Sequence, residues 1–401
     1  MSVDLRSRVD AEQAPVEAAR LFRDVLPPRL DAHQADIAPG AAARGLAPFC
    51  IETDGEPWTL AFEGDRVAVR PGRHGRARVR LDREQLGDLV NDQSTPIALM
   101  SNAVLDMPEG RLPDFLDWWL VLRAALDGRR IHAPGDVALA ADLPRSFRPD
   151  DPDEDLRAFL EEAGYLHVEG VFSEAEMAAV EADYAKAAPH YAKGDPLGWF
   201  ATTHDGVEHL VRMEGFDRHS AALTELLDDE RLQRIRRIPG IGHVARNKTG
   251  MRAGALTKPI GVVKGISDVP WHKDCSLGRH SYECCSLTVG LSIDGADATS
   301  GQLRVVPGSH RALVWPAPCL QPGLDLAPLD LPTRTGDVTV HLSCTLHMSQ
   351  PPVTRPRKVV YTGFGLPPVD PEAAEANRRR LNAVRSKTHT SVSQEPGHLG
   401  G

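Results

Sequence analysis

The chain has 401 residues, of which 41% are hydrophobic and 25% charged, and its formal net charge is −10. A chain this long exceeds what one hydrophobic core usually serves, so two domains are expected, and the acid excess argues against nucleic acid or anionic membrane surfaces as partners. No run of about 18 apolar residues is present for a membrane span, and "MSVDLRSRVDAEQAPVEAAR" lacks the apolar core of a secretion signal, so a cytoplasmic protein is expected.

The first predicted helix is "PVEAARLFRDVLPPRL", with Val16, Ala19, Leu21, Phe22 and Leu26 near a 3.6-residue period and Pro27 and Pro28 as its stop. "PWTLAF", "DRVAVR" and "ARVRLD" alternate like antiparallel strands between Gly/Asp turns. "PDFLDWWLVLRAALDG" predicts a closing helix with Gly128 beyond its end, and its tryptophans read first as core residues. The turn-rich, acidic "DLPRSFRPDDPDEDL" interrupts the pattern, which sets the expected boundary between a domain over residues 1–148 and another over residues 149–401.

The chain restarts as helix, strand, helix in "LRAFLEEAG", "YLHVEGVF" and "SEAEMAAVEADYAKA", with a capping box from Ser173 to Glu176. Short strands and Gly/Pro turns follow in "CCSLTVGLSI", "GQLRVVPGS", "GDVTVHLSCTLHM" and "KVVYTGFGL", the texture of a double-sheet β architecture. "DPEAAEANRRRLNAVRSK" predicts one more helix, followed by a polar tail, "THTSVSQEPGHLGG", with the composition of a disordered segment. The expected class is therefore α+β. The six cysteines form no CxxC pair and read as small core residues in a reducing compartment.

In "PWHKDC", His272 and Asp274 would point to one face of an extended segment and could grasp one ion. A third ligand must come from elsewhere. His347 in "GDVTVHLSCTLHMSQ" is the best candidate, but His341 lies on the same strand and spacing leaves the choice open. Two histidines and one carboxylate with positions left open is the set used by non-haem Fe(II) oxygenases.

Four landmarks in order resemble the phytanoyl-CoA dioxygenase family over roughly residues 152–368: "LRAFLEEAGYLHVEGVFSEAEMAAVEADY", "PWHKD", "SGQLRVVPGSHR" and "GDVTVHLSCTLHMSQPPVTRPRKVVYTGF". The resemblance implies a double-stranded β-helix (jelly roll) with flanking helices, and a dioxygenase using Fe(II), 2-oxoglutarate and O2. It implies His272, Asp274 and His347 as iron ligands and catalytic residues. It also implies an arginine past the distal histidine for the far carboxylate of 2-oxoglutarate, with Arg357 ahead of Arg355, and Ser349 and Thr288 beside the same co-substrate. A fork-shaped guanidinium suits a carboxylate. Asp274 stands where related halogenases carry a small residue, which favours hydroxylation or another oxidation. His310 reads first as structural.

Residues 14–130 resemble, more softly, a sterol-carrier-protein-like domain through "PWTLAFEGDRVAVRPG", "ARVRLDREQLGDLVNDQ" and "DMPEGRLPDFLDWWLVLRAAL". That implies a smaller α+β domain able to bring an apolar small molecule or acyl derivative to the iron. The alternatives are a carrier without chemistry and a metal-dependent jelly-roll enzyme that does not use 2-oxoglutarate.

Overall fold

The computed structural model describes residues 14–140, 142–247, 250–265, 267–276, 286–368, 370–376 and 379. The expected polar tail, most of the last helix, Cys284 and Cys285 lie outside these residues; 371–376 are helical. Among the described cysteines only Cys50 is buried, so the expectation of core thiols holds for that one. No helix of the described residues is long and apolar enough to cross a membrane.

The N-terminal part is a five-stranded sheet covered by helices. Its strands are β1 (Phe49–Thr53), β2 (Glu56–Glu63), β3 (Arg66–Pro71), β4 (Ala77–Arg80) and β5 (Asp106–Glu109), in the order β3-β2-β1-β4-β5. β1 and β4 run parallel, against the expectation of antiparallel pairing throughout. The helix Leu112–Asp127 buries Phe115, Trp118 and Trp119 against this sheet, and the left-handed Gly128 ends it.

Pro27 and Pro28 do not stop the first helix. A π-helical turn at Leu21–Val25 leads into a second helix, Leu26–Ala32, and the prolines occupy its first turn, where a missing N–H costs nothing. The helix expected to restart at Leu156 begins earlier, at Asp153, inside the acidic end of the boundary stretch: Asp153, Glu154 and Asp155 sit in the first turn of the helix Asp153–Ala163, where they complement the positive end of the helix dipole.

The rest of the chain is built on a large sheet and a small one. The large sheet contains β6 (Tyr165–Val168), β7 (Gly198–Thr203), β8 (Glu208–Glu214), β9 (Val244–Ala245), β10 (Ala253–Lys258), β11 (Val262–Lys264), β12 (Leu287–Ser292), β15 (Val338–Leu342) and β17 (Arg357–Gly365). Its order is β11-β7-β8-β10-β17-β12-β15-β6, with β9 on β17. β13 (Leu303–Val305), β14 (Leu329–Leu331) and β16 (His347–Ser349) form the small sheet. This arrangement is consistent with a jelly roll.

Alternation along the large sheet separates two chemistries. Leu287, Val289, Leu291, Val338, Val340, Leu342, Val360 and Phe364 belong to the core shared with the helices Asp153–Ala163 and Glu174–Ala187. The opposite face carries Thr288 paired with His341, and Gly290 paired with Thr339 and Tyr361. Cross-strand partners share a face, so this polar set looks away from the core.

Gly336 opens β15. Its φ is 86°, and an added Cβ would stand 1.9 Å from the carbonyl oxygen of Phe172. Gly336→Ala is expected to cost about 3 kcal/mol or more, combining left-handed strain with a backbone clash. Urea unfolding at constant m-value checks it, and a loss below about 1 kcal/mol would contradict the reading.

Candidate metal centre

His272 and His347 are locked together through their backbones. His272 N–H donates to the His347 carbonyl at 2.9 Å and His347 N–H donates back at 3.0 Å. This bridge brings a loop to the first residue of β16, so the two rings face each other with centroids 4.1 Å apart.

Each imidazole is oriented by a carbonyl. His272 Nδ1 lies 2.8 Å from Pro270 O, and His347 Nδ1 lies 3.0 Å from Thr345 O. A carbonyl only accepts, so each Nδ1 carries a proton and each Nε2 is turned to the site. That is the state a metal ligand requires.

Asp274 completes the group. Its Oδ1 is 3.4 Å from His272 Nε2 and 3.5 Å from His347 Nε2. The ligand atoms of His272, Asp274 and His347 all lie within 4.8 Å of one another. Burial alone would raise the Asp274 carboxyl, but the neighbouring His347, His272 and His341 hold it well below the usual carboxylate range. Burial, with His341 and His272 alongside, keeps His347 neutral by holding it well below the usual imidazole range. Two imidazoles and one carboxylate are a donor set that fits a divalent iron.

The second carboxylate oxygen is held from the polar face of the large sheet. Thr288 Oγ1 donates to Asp274 Oδ2 at 2.6 Å, and His341 Nε2 lies 3.3 Å from the same atom. Thr288 and His341 are cross-strand partners, which explains why both arrive at one oxygen. Thr288 is thus placed on the carboxylate of Asp274, while Arg357 lies six residues along β17 from its partner Gly363 (363 minus 357). His341 stands beside His347, ring centroids 4.0 Å apart, but it addresses the other oxygen of Asp274.

A cationic cluster lies next to this group. Arg357, 1% exposed, donates from Nη1 to Gly301 O at 2.8 Å and to Ser349 Oγ at 3.1 Å, and its buried Nε has no partner. Ser349 is two residues beyond His347 on β16, hence on the same face. Lys258 is the cross-strand partner of Arg357 and donates to Ser349 Oγ at 2.8 Å, with Asp268 2.7 Å away. Burial pulls the Lys258 ammonium down to about 8 despite the support of Asp268. A second buried cation this close to Arg357 makes a cradle for a carboxylate.

Lys258 escaped sequence reasoning because "AGALTKP" carries no motif; its one signal is the alternation that puts it on the face of Leu256 and Gly254. Arg355 is exposed and bonds the Gly295 carbonyl. His310 is half-buried with Nε2 3.0 Å from the Glu161 carbonyl, and desolvation lowers it to about 4, in keeping with a structural residue.

Residues 160–359 match a protein-family model, and the chain is a 2-oxoglutarate-dependent non-haem iron dioxygenase, served by iron, 2-oxoglutarate and O2. The matching model is that of the phytanoyl-CoA dioxygenase family. Among solved structures, AviO1 from Streptomyces viridochromogenes Tue57 is 18% identical at a TM-score of 0.42, covering 55% of this chain and 97% of its own. EctD from S. alaskensis with bound Fe is 18% identical at a TM-score of 0.42, covering 58% of this chain and 82% of its own. No curated protein matches the sequence.

Proposed function

We propose that His272, Asp274 and His347 hold the iron and that Arg357, aided by Lys258 and Ser349, takes the far carboxylate of 2-oxoglutarate. The observation that carries this reading is the convergence of two Nε2 atoms and one carboxylate beside a buried guanidinium with an unpartnered Nε. Bound iron with 2-oxoglutarate and O2 supplies the oxidising power, with succinate and CO2 as by-products. Thr288 fixes one oxygen of Asp274 so that the other is presented to the two histidines. The Pro270 and Thr345 carbonyls keep the rings turned inward, and the cations neutralise the co-substrate's far end.

We take residues 1–148 and 149–401 as two domains, supported by two apolar clusters that divide near that boundary, with Leu313, Trp315 and Ala317 joining the first and Phe147 the second. The sterol-carrier resemblance of the first supports an apolar small molecule or acyl derivative as the compound oxidised, with hydroxylation favoured by the retained Asp274. A cytoplasmic location goes with this reading.

The test is anaerobic titration with Fe(II) followed by O2 and 2-oxoglutarate. Succinate formation is expected even without the organic substrate, at the slow uncoupled rate, and its absence under all substrates tried would sink the proposal. A pH series adds a sharper check. Lys258 loses its proton as pH rises through about 8, so the neutral amine no longer attracts a dianion. Affinity for 2-oxoglutarate is expected to fall about tenfold from pH 7 to 9, the change carried by one titrating group. Lys258→Met should be weaker at pH 7 and flat across this window; an equally steep profile in the variant would contradict the assignment.

A further inference from the structure

We infer that the N-terminal part of the chain is a structural component of the metal centre, with Thr95 as a positioning residue for the turn that bears Asp274. The inference rests on the metal assignment above. It concerns what holds the ligands rather than what they bind.

The segment carrying His272 and Asp274 is bridged to His347 and bonded through Cys275 N–H to the Ser343 carbonyl at 3.3 Å, and it is gripped at two further points from the N-terminal part. On one side, the fully buried Thr95 donates its hydroxyl to the Ser276 carbonyl at 2.9 Å, across 181 residues of sequence. Ser276 closes the one-turn helix Asp274–Ser276, so this bond reaches the ligand turn itself. The same Oγ1 accepts from Ala98 N–H at 3.1 Å and caps the helix Pro96–Ser101. Thr95 ends a run of buried polar residues, Asn91 to Thr95, that lies where Arg123, 1% exposed, donates to the Val90 carbonyl.

On the other side, Lys273, between the two ligands, donates its N–H to the Pro316 carbonyl at 2.9 Å. Pro316 belongs to a strap whose neighbours Leu313, Trp315 and Ala317 are buried in the N-terminal core rather than in that of the large sheet. Trp315 Nε1 donates to Asp117 at 2.8 Å, and the strap is tied again where His132 Nε2 meets Asp325 at 2.7 Å. Part of the backbone grip around Asp274 therefore comes from groups anchored in the N-terminal core. A carrier domain tethered for delivery alone would not need buried hydrogen bonds to a ligand turn.

Loss of a group that orients a metal ligand typically costs about tenfold to a hundredfold in affinity. Thr95→Val keeps the shape and removes the hydroxyl; Thr95→Ser keeps it. Fe(II) affinity of the full chain is read anaerobically from the metal-to-co-substrate charge-transfer band with 2-oxoglutarate present, beside thermal melts. Thr95→Val is expected to weaken Fe(II) within that range, and Thr95→Ser to restore it. Asp82→Ala, which removes the exposed N-terminal cap of the helix Arg83–Val90, at the end away from Asn91–Thr95, should lower the melting temperature and leave Fe(II) affinity unchanged.

Trp315→Phe probes the strap without touching Thr95 and is expected to weaken Fe(II) several-fold, so the inference stays testable if Thr95→Val fails to fold. Wild-type affinity in both Thr95→Val and Trp315→Phe overturns the inference, as does equal weakening in Asp82→Ala. A wild-type chain with no Fe(II) binding overturns the metal assignment itself, which is a different result.

Discussion

Replacing His272 by alanine is expected to lower turnover more than about a thousandfold, beyond the tenfold to hundredfold typical of losing a residue that only orients a ligand. The backbone bridge to His347 uses only N–H and C=O groups, which alanine retains, so the loop should stay against β16. The ring leaves a small space in polar surroundings that water can fill, and the melting temperature should fall by only a few degrees. Fe(II) titration should then show the affinity collapsing while circular dichroism is preserved. Retained Fe(II) affinity in a folded variant would remove His272 from the ligand set. His341→Asn offers a contrast, since His341 addresses the outer oxygen of Asp274, and a smaller loss is expected there.

Arg357→Ala is expected to raise the KM for 2-oxoglutarate on the order of a hundredfold or more. Truncating one partner of a buried, hydrogen-bonded charge pair costs roughly 2–5 kcal/mol, and here the lost partner is the guanidinium nearest Ser349. Lysine at the same position should rescue little, because an ammonium cannot give two parallel hydrogen bonds and would crowd Lys258. Arg355→Ala serves as the control with unchanged KM, its side chain being exposed and turned to Gly295. A large KM effect from Arg355 and none from Arg357 would reverse the assignment.

Local rules made much of this protein legible. The capping box appears as read, with Ser173 N–H donating to Glu176 at 2.7 Å and Glu176 N–H bonding the serine hydroxyl. The alternation in "PWTLAF" and "DRVAVR" became β2 and β3, because each stretch specifies its own period. Information carried between distant segments was not legible. Spacing left His341 and His347 equal, and the structure separates them by which oxygen of Asp274 each faces, a consequence of the β12–β15 register. Lys258 is visible only once β10 is laid beside β17. The prolines at 27 and 28 misled because a proline that ends one helix and a proline that opens the next look alike until the preceding π turn is known.

The division of labour across the large sheet bears on how such an enzyme can change its task. On β12, β15 and β17 the side chains that hold the protein together point one way, and Thr288, Thr339 and Tyr361, beside Gly290, lie on the other face. A library restricted to Thr339 and Tyr361 would alter this polar face while leaving the hydrophobic layer intact, whereas at Gly290 an added Cβ would stand 2.9 Å from Thr339 Oγ1 and from Tyr361 Cε1. Such a library should yield mostly folded members, giving natural drift or a laboratory selection a route to new selectivity that does not pass through unfolded intermediates.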